Sequence, residues 1–297
     1  MSKFVTFLMM ILVVGFALTL PAQAQQSIGG HDETSEVNAP RWTNGAPSVG
    51  TAPALTGVHL LISEFAVAGT PVEFAEIYNP TSSTVDLSKY YLTDSWYGTP
   101  PVAYYKLPTG TLLLGDNSDF CSRFPAGASI APGGTIVVAL YGAGIDSAYG
   151  AGKTNFEVTP SKPGIPDMIN VGGNTMICGT TTLTNGSEFL MLFFWDGLSD
   201  NVCDVDYVTW GPLTATSRVD KTGLATDGPD ADAIATLYKN DTAFAAQSQV
   251  TAPTAPNSAA RTMLPEGAEA ALGNGCIPGG PTAVEYSTWG KVKSLYR

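Results

Sequence analysis

Val58 to Val67, VHLLISEFAV, and Glu73 to Tyr78, EFAEIY, are two apolar runs of strand length separated by Gly69-Thr70-Pro71. Runs this short, bounded by turn residues, predict a β-hairpin rather than a helix. The pattern recurs along the chain. Thr135 to Tyr141, TIVVALY, follows Pro132-Gly133-Gly134, and Phe189 to Trp195 is continuously apolar between Asn185-Gly186 and Asp196-Gly197. Both fit interior strands of a sandwich. Cys203 to Trp210 adds another, in which alternation puts Asp204 and Asp206 together on a solvent-facing side. One short helix is expected after Asp227-Gly228-Pro229, with Ile234, Leu237 and Tyr238 on one face. The sum is an all-β chain, an antiparallel β-sandwich with long loop insertions and one short helix.

Composition agrees with that reading. Of 297 residues, 44% are hydrophobic and 13% charged, about half the ~25% charge of an average soluble protein. With 32 Gly and 21 Pro, turns are dense, while the apolar fraction is too high for general disorder. At the start, Lys3, the apolar stretch Phe4 to Leu20 and the small-residue site Ala22-Gln23-Ala24 read as a signal peptide over residues 1–24. The expected product is exported, whether secreted, at the cell surface or periplasmic, with no transmembrane segment in the mature chain. Residues 25–57 read as a flexible arm, 58–246 as the sandwich with a C-terminal extension, and 247–297 as a loop-rich tail in which Val284 to Trp289 is a further strand. A net charge of -12 without a basic cluster argues against direct nucleic-acid binding. Cys121, Cys178, Cys203 and Cys276 form an even set for an oxidising compartment, so two disulfides are expected, with all three pairings open.

A family resemblance rests on ordered motifs: Ile62-Ser63-Glu64-Phe65, Glu73 to Pro80 (EFAEIYNP), Val85-Asp86-Leu87-Ser88 and Tyr91-Leu92-Thr93-Asp94. Later come Leu107-Pro108, Ile130 to Gly134 (IAPGG) before a β-branched strand, Glu188 to Gly197, and Asp206-Tyr207-Val208. In this order they resemble the lamin-tail domain (LTD) family, over roughly residues 58 to 211. The resemblance implies an immunoglobulin-like β-sandwich that acts as a non-catalytic interaction or anchoring module, as in exported bacterial members.

Chemistry-bearing residues are sparse. No Gly-x-Ser-x-Gly elbow is present, His31 and His59 stand in no catalytic setting, and Glu73 and Glu76 are an odd number of positions apart, which sends them to opposite strand faces. No catalytic residue is assigned. Oxygen-rich metal binding is the better candidate: Asp227, Asp230 and Asp232 sit in one Gly/Pro turn, with Asp196, Asp200 and Asn201 in a second acidic loop, and exported proteins meet abundant Ca²⁺. An aromatic cluster, with Trp96, Tyr97, Tyr104 and Tyr105 around Gly98-Thr99-Pro100-Pro101, is the candidate ligand platform. The function expected is a secreted module that binds an extracellular or cell-envelope polysaccharide or protein with the help of Ca²⁺. A metal-dependent extracellular hydrolase and a self-assembling structural subunit of a surface array are the alternatives.

Overall fold

A computed structural model describes residues 59–261 except 68, 70–71, 99–100, 111–117, 173–180, 213, 215–216, 239, 242, 248 and 256; the side chains at 96–98, 101–102 and 244 also lie outside the description. The segments expected to be a signal peptide and an arm, the strand expected at Val284 to Trp289, Cys178 and Cys276 therefore fall outside the described residues.

Two sheets form an all-β sandwich. The first runs β10 (Phe156–Glu157), β9 (Thr135–Ala139), β2 (Phe74–Tyr78), β1 (Leu61–Ala66), β16 (Ala259–Ala260). The second runs β11 (Ile169–Asn170), β7 (Cys121–Arg123), β4 (Tyr90–Thr93), β12 (Glu188–Phe194), β13 (Cys203–Trp210). Three small ribbons pair β3 (Val85–Asp86) with β8 (Ser129–Ile130), β5 (Trp96–Gly98) with β6 (Pro101–Ala103), and β14 (Ala225–Thr226) with β15 (Thr236–Leu237). Pairing is antiparallel except between β9 and β10. The hairpin expected from the opening motifs is β1–β2, paired from Leu61 opposite Tyr78 to Ala66 opposite Phe74 with a register shift between Ile62 and Glu64.

Alternation sorts the side chains into three apolar clusters. Leu190, Leu192 and Phe194 of β12 meet Ile62, Phe65 and Ile77 in the core between the sheets. Their alternates Phe189, Met191 and Phe193 face outward, yet they are buried, because Tyr104, Tyr105, Val219 and Tyr238 cover them. A third cluster lies on the outer face of the first sheet, where Phe74, Val137 and Ala139 pack against Ile145 of the helix α1 (Gly142–Tyr149). Both sheets are therefore covered on both faces, which explains why β12 is buried along its whole length.

The turn after β2 and the turn before β9 come together at one corner. The Asn79 side-chain amide donates to the carbonyls of Ser83, Ile130 and Ala131, its carbonyl oxygen accepts the Thr81 N–H, and Gly133 N–H donates to the Asn79 carbonyl. One buried amide thus pins two turns that are distant in the sequence.

Several expectations change. Residues 227–238 form no helix; residues 225–237 form the β14–β15 hairpin, and the one α-helix among the described residues is α1. Asp204 and Asp206 do not share a solvent face. A bulge in β13 opposite Leu192 and Phe193 turns Asp204 to the covered outer side and Asp206 toward β1, and both are buried. Residues 247–261 belong to the sandwich: Val250 bridges Trp210, and β16 pairs with β1. Cys121 and Cys203 are buried on opposite sides of the second sheet, in different clusters, and no disulfide joins them.

Candidate functional site

The β14–β15 hairpin folds onto the loop after β12, and the contact is stitched by hydrogen bonds. Asp196 organises that loop: one carboxylate oxygen accepts the N–H groups of Leu198 and Ser199, and the other accepts the Ser199 hydroxyl at 2.7 Å. Partial burial alone would raise its pKa, but these bonds outweigh it and hold the carboxyl below its usual range. Asp200 then reaches the hairpin, accepting Gly228 N–H at 2.9 Å on Oδ1 and the Thr236 hydroxyl at 2.5 Å on Oδ2. The Thr226 hydroxyl returns a bond to the Asp200 carbonyl at 2.6 Å, and the Asn201 amide donates to the Leu237 carbonyl at 3.2 Å. Gly228 lies so close to the loop that a Cβ would stand 2.7 Å from both Asp200 Cα and the Ser199 carbonyl oxygen.

This stitching brings Asp227 and Asp230 of the hairpin to Asp200 of the other loop, with one carboxylate oxygen from each within 4.8 Å of the others. The two acidic loops, separate in the sequence, thus contribute to one trio. Asp232 lies outside it, accepting the Ile234 N–H in a local turn. An all-oxygen donor set on two loops suits a hard cation such as Ca²⁺, since three carboxylates this close repel one another. Asp227 is exposed, whereas Asp200 and Asp230 are half-buried. The same two loops carry the most exposed large apolar side chains of the described residues, Ile234 at 73%, Leu237 at 66% and Leu198 at 63%. Aliphatic groups this exposed, beside a charged cluster, suit contact with a partner surface.

The aromatic platform is placed differently. Tyr104 and Tyr105 begin a 3₁₀ helix (Tyr104–Thr109) and are buried in the outer cluster, where the Tyr104 ring lies 5.0 Å from Phe193 and Tyr105 packs 6.0 Å from Tyr238. They cover β12 and do not face solvent. Trp96 and Tyr97 lie in the β5–β6 ribbon, and their side chains are outside the described residues. Cys121 offers no nucleophile: burial pushes its thiol pKa up, against a hydrogen bond with Thr93.

Two buried ionic sites escaped the sequence reading. Asp206 accepts Ile62 N–H at 2.5 Å and pairs with the Arg261 guanidinium through both carboxylate oxygens, at 3.0 and 2.9 Å. Lys221 reaches Asp204 at 2.6 Å and Asp241 at 2.9 Å. Nothing in the spacing announces either set; the one available signal was that Asp204 and Asp206 stand in an otherwise apolar strand.

The fold and the trio define an all-β sandwich with a surface carboxylate cluster. No family model matches the chain, and no curated protein matches it. A solved structure, a DUF4876 family protein from Bacteroides thetaiotaomicron VPI-5482, is similar over 58% of this chain at 14% identity and a TM-score of 0.35; the chain spans 60% of that structure's length. No helix among the described residues is long and apolar enough to cross a membrane.

Proposed function

We propose that the chain is an exported, non-catalytic interaction module of lamin-tail type, which docks onto an extracellular or cell-envelope protein through the loops at 196–201 and 225–237. Ca²⁺ held by Asp200, Asp227 and Asp230 rigidifies the hairpin, and Leu198, Ile234 and Leu237 supply the apolar contact. The observation that carries this reading is the coincidence of the carboxylate trio and the three exposed aliphatic side chains on one pair of stitched loops. On these two loops the exposed large apolar side chains among the described residues are aliphatic, which favours a protein partner over a polysaccharide, whose rings stack on aromatic faces.

The test is calcium titration of the full chain by calorimetry, followed by co-sedimentation with isolated envelope fractions in Ca²⁺ and in EDTA. Saturable binding that Asp227→Ala with Asp230→Ala abolishes, together with EDTA-sensitive retention lost in Leu198→Ser with Ile234→Ser, supports the proposal. Retention unaffected by either pair of changes overturns the docking surface, and absence of calcium binding overturns the cation. Turnover of an extracellular polymer with added divalent metal would replace it with the hydrolase reading. Concentration-dependent growth in particle size would point instead to the structural-subunit reading.

A further inference from the structure

Beneath the outer aromatic layer, Lys221 is enclosed as few lysines are. Its side chain is 1% exposed, and its Nζ lies 2.6 Å from Asp204 Oδ2 and 3.0 and 2.9 Å from the two oxygens of Asp241. The Tyr238 ring sits 5.9 Å from the ammonium, and the Tyr104 hydroxyl, 3.5 Å from Nζ, donates to Asp204 Oδ1 at 2.8 Å. Asp241 is oriented further by the Lys221 backbone N–H, which donates to its Oδ2 at 2.5 Å. Three formal charges are thus confined in an apolar, aromatic pocket, where desolvating each one is costly.

The geometry points to a chemical outcome beyond an ion pair. We propose that Lys221 and Asp204 condense spontaneously to an intramolecular amide, with Asp241 carrying the protons. The reaction needs only the groups present. Asp241 carries a proton from the Lys221 ammonium to Asp204 Oδ2, and the freed amine attacks Cγ of the resulting neutral acid, forming the N–C bond. The developing charge on Asp204 Oδ1 is met by the Tyr104 hydroxyl, which stays protonated because burial and the neighbouring carboxylates raise its pKa. Asp241 then takes a second proton from that nitrogen and delivers it to Oδ2, the C–Oδ2 bond breaks, and water leaves. Of the three ammonium protons, two depart in that water and one remains on the amide nitrogen, which donates to Asp241. No electron is gained or lost, and two of the three buried charges disappear.

The pocket supplies what the uncatalysed condensation lacks. The ammonium is the resting form, since the two carboxylates outweigh the burial that would lower the lysine pKa, so a proton acceptor within hydrogen-bond reach is required. Asp241 provides it on both oxygens. Preorganisation holds nucleophile and electrophile in contact, and exclusion of water disfavours hydrolysis of the product. The linkage ties β13 covalently to the segment that covers it, an element held otherwise by packing and by hydrogen bonds such as Val219 N–H to the Tyr207 hydroxyl and the Tyr207 hydroxyl to Gln247. This inference concerns the interior of the fold and stands apart from the docking surface, so either can fail alone.

Mass spectrometry of the denatured full chain tests it. The expected result is a chain lighter by one water, with trypsin unable to cut after Lys221 and that peptide joined to the one carrying Asp204. Asp241→Asn should restore the unlinked mass in a folded protein, and Tyr104→Phe should slow the link. Asp204→Asn should lose ammonia in place of water and give the same amide. An unlinked wild-type chain, cut normally after Lys221, overturns the proposal, and a link to Asp241 overturns the assigned roles. Should a variant fail to fold, the wild-type peptide map decides alone.

Discussion

Glu64 stands opposite Glu76 across the β1–β2 hairpin, both buried, with hydroxyl donors from Ser258 and Ser63 respectively. Burial, helped by the Glu76 charge and opposed by the Ser258 bond, raises the Glu64 pKa from 4.5 to about 7. A carboxyl raised in the folded state keeps a proton that the unfolded chain has lost. Its stabilising effect is full below pH 4.5 and is lost as pH climbs through about 7. Glu64→Gln should therefore flatten the fall in melting temperature over that window, removing a pH-dependent contribution on the order of 3 kcal/mol. His59 works in the other direction: burial first, then the Arg261 charge, lower its pKa from 6.5 to about 4, so its part of the stability is lost as pH falls between those values. His59→Gln should widen the acid side of the stability profile in thermal melts at graded pH. At the proposed cation site, Gly228→Ala would force a Cβ to 2.7 Å from Asp200 Cα and drive the loops apart. Calcium affinity, followed by calorimetry, should fall about tenfold or more, with the sandwich still folded.

At the scale of elements, bulges and borrowed caps matter most. The register shift in β1 between Ile62 and Glu64 frees the Ile62 amide for Asp206, and the bulge in β13 aims Asp206 at it. Arg261 completes that link from the end of β16, tying one edge of the first sheet to the second. Arg261→Met leaves a buried carboxylate without its cation and should cost about 3–5 kcal/mol in urea unfolding. Adding Asp206→Leu should recover much of that loss. The helix α1 is capped from outside: Tyr141 at its N-cap makes no side-chain cap bond, whereas Gly142 N–H donates to Glu157 and Ala143 N–H to the Ser161 hydroxyl. A helix in which four of eight residues are Gly or Ala, with remote caps, has no local start signal, which is why its pattern could not be read. The converse error arose at residues 230–238, where Ile234, Leu237 and Tyr238 mimic a helical face. Asp200 binds both arms of the segment and holds it as a hairpin.

For the whole molecule, the outer layer decides stability. Phe189, Met191 and Phe193 are buried only because the segment from 217 to 247 and the 3₁₀ helix lie over them. A chain ending at Pro212 retains the motifs of the family resemblance but loses Val219, Tyr238, β16 and Arg261. It should expose the outer apolar face and self-associate, read as early elution and dye binding in size-exclusion and fluorescence assays. The full chain should elute as a compact species under the same conditions.

Short apolar runs between turn residues determined the β class, the β1–β2 hairpin and the interior position of β12, because strand length, apolarity and turn chemistry are local properties. The sequence also confined the cation candidates to two acidic loops. Only the tertiary structure decided that Asp200 joins Asp227 and Asp230 while Asp232 stays apart, and that Tyr104 and Tyr105 are covering residues. It alone placed Lys221 between Asp204 and Asp241. Each of these depends on a bulge or on a contact between distant segments, and neither leaves a periodic trace in the chain.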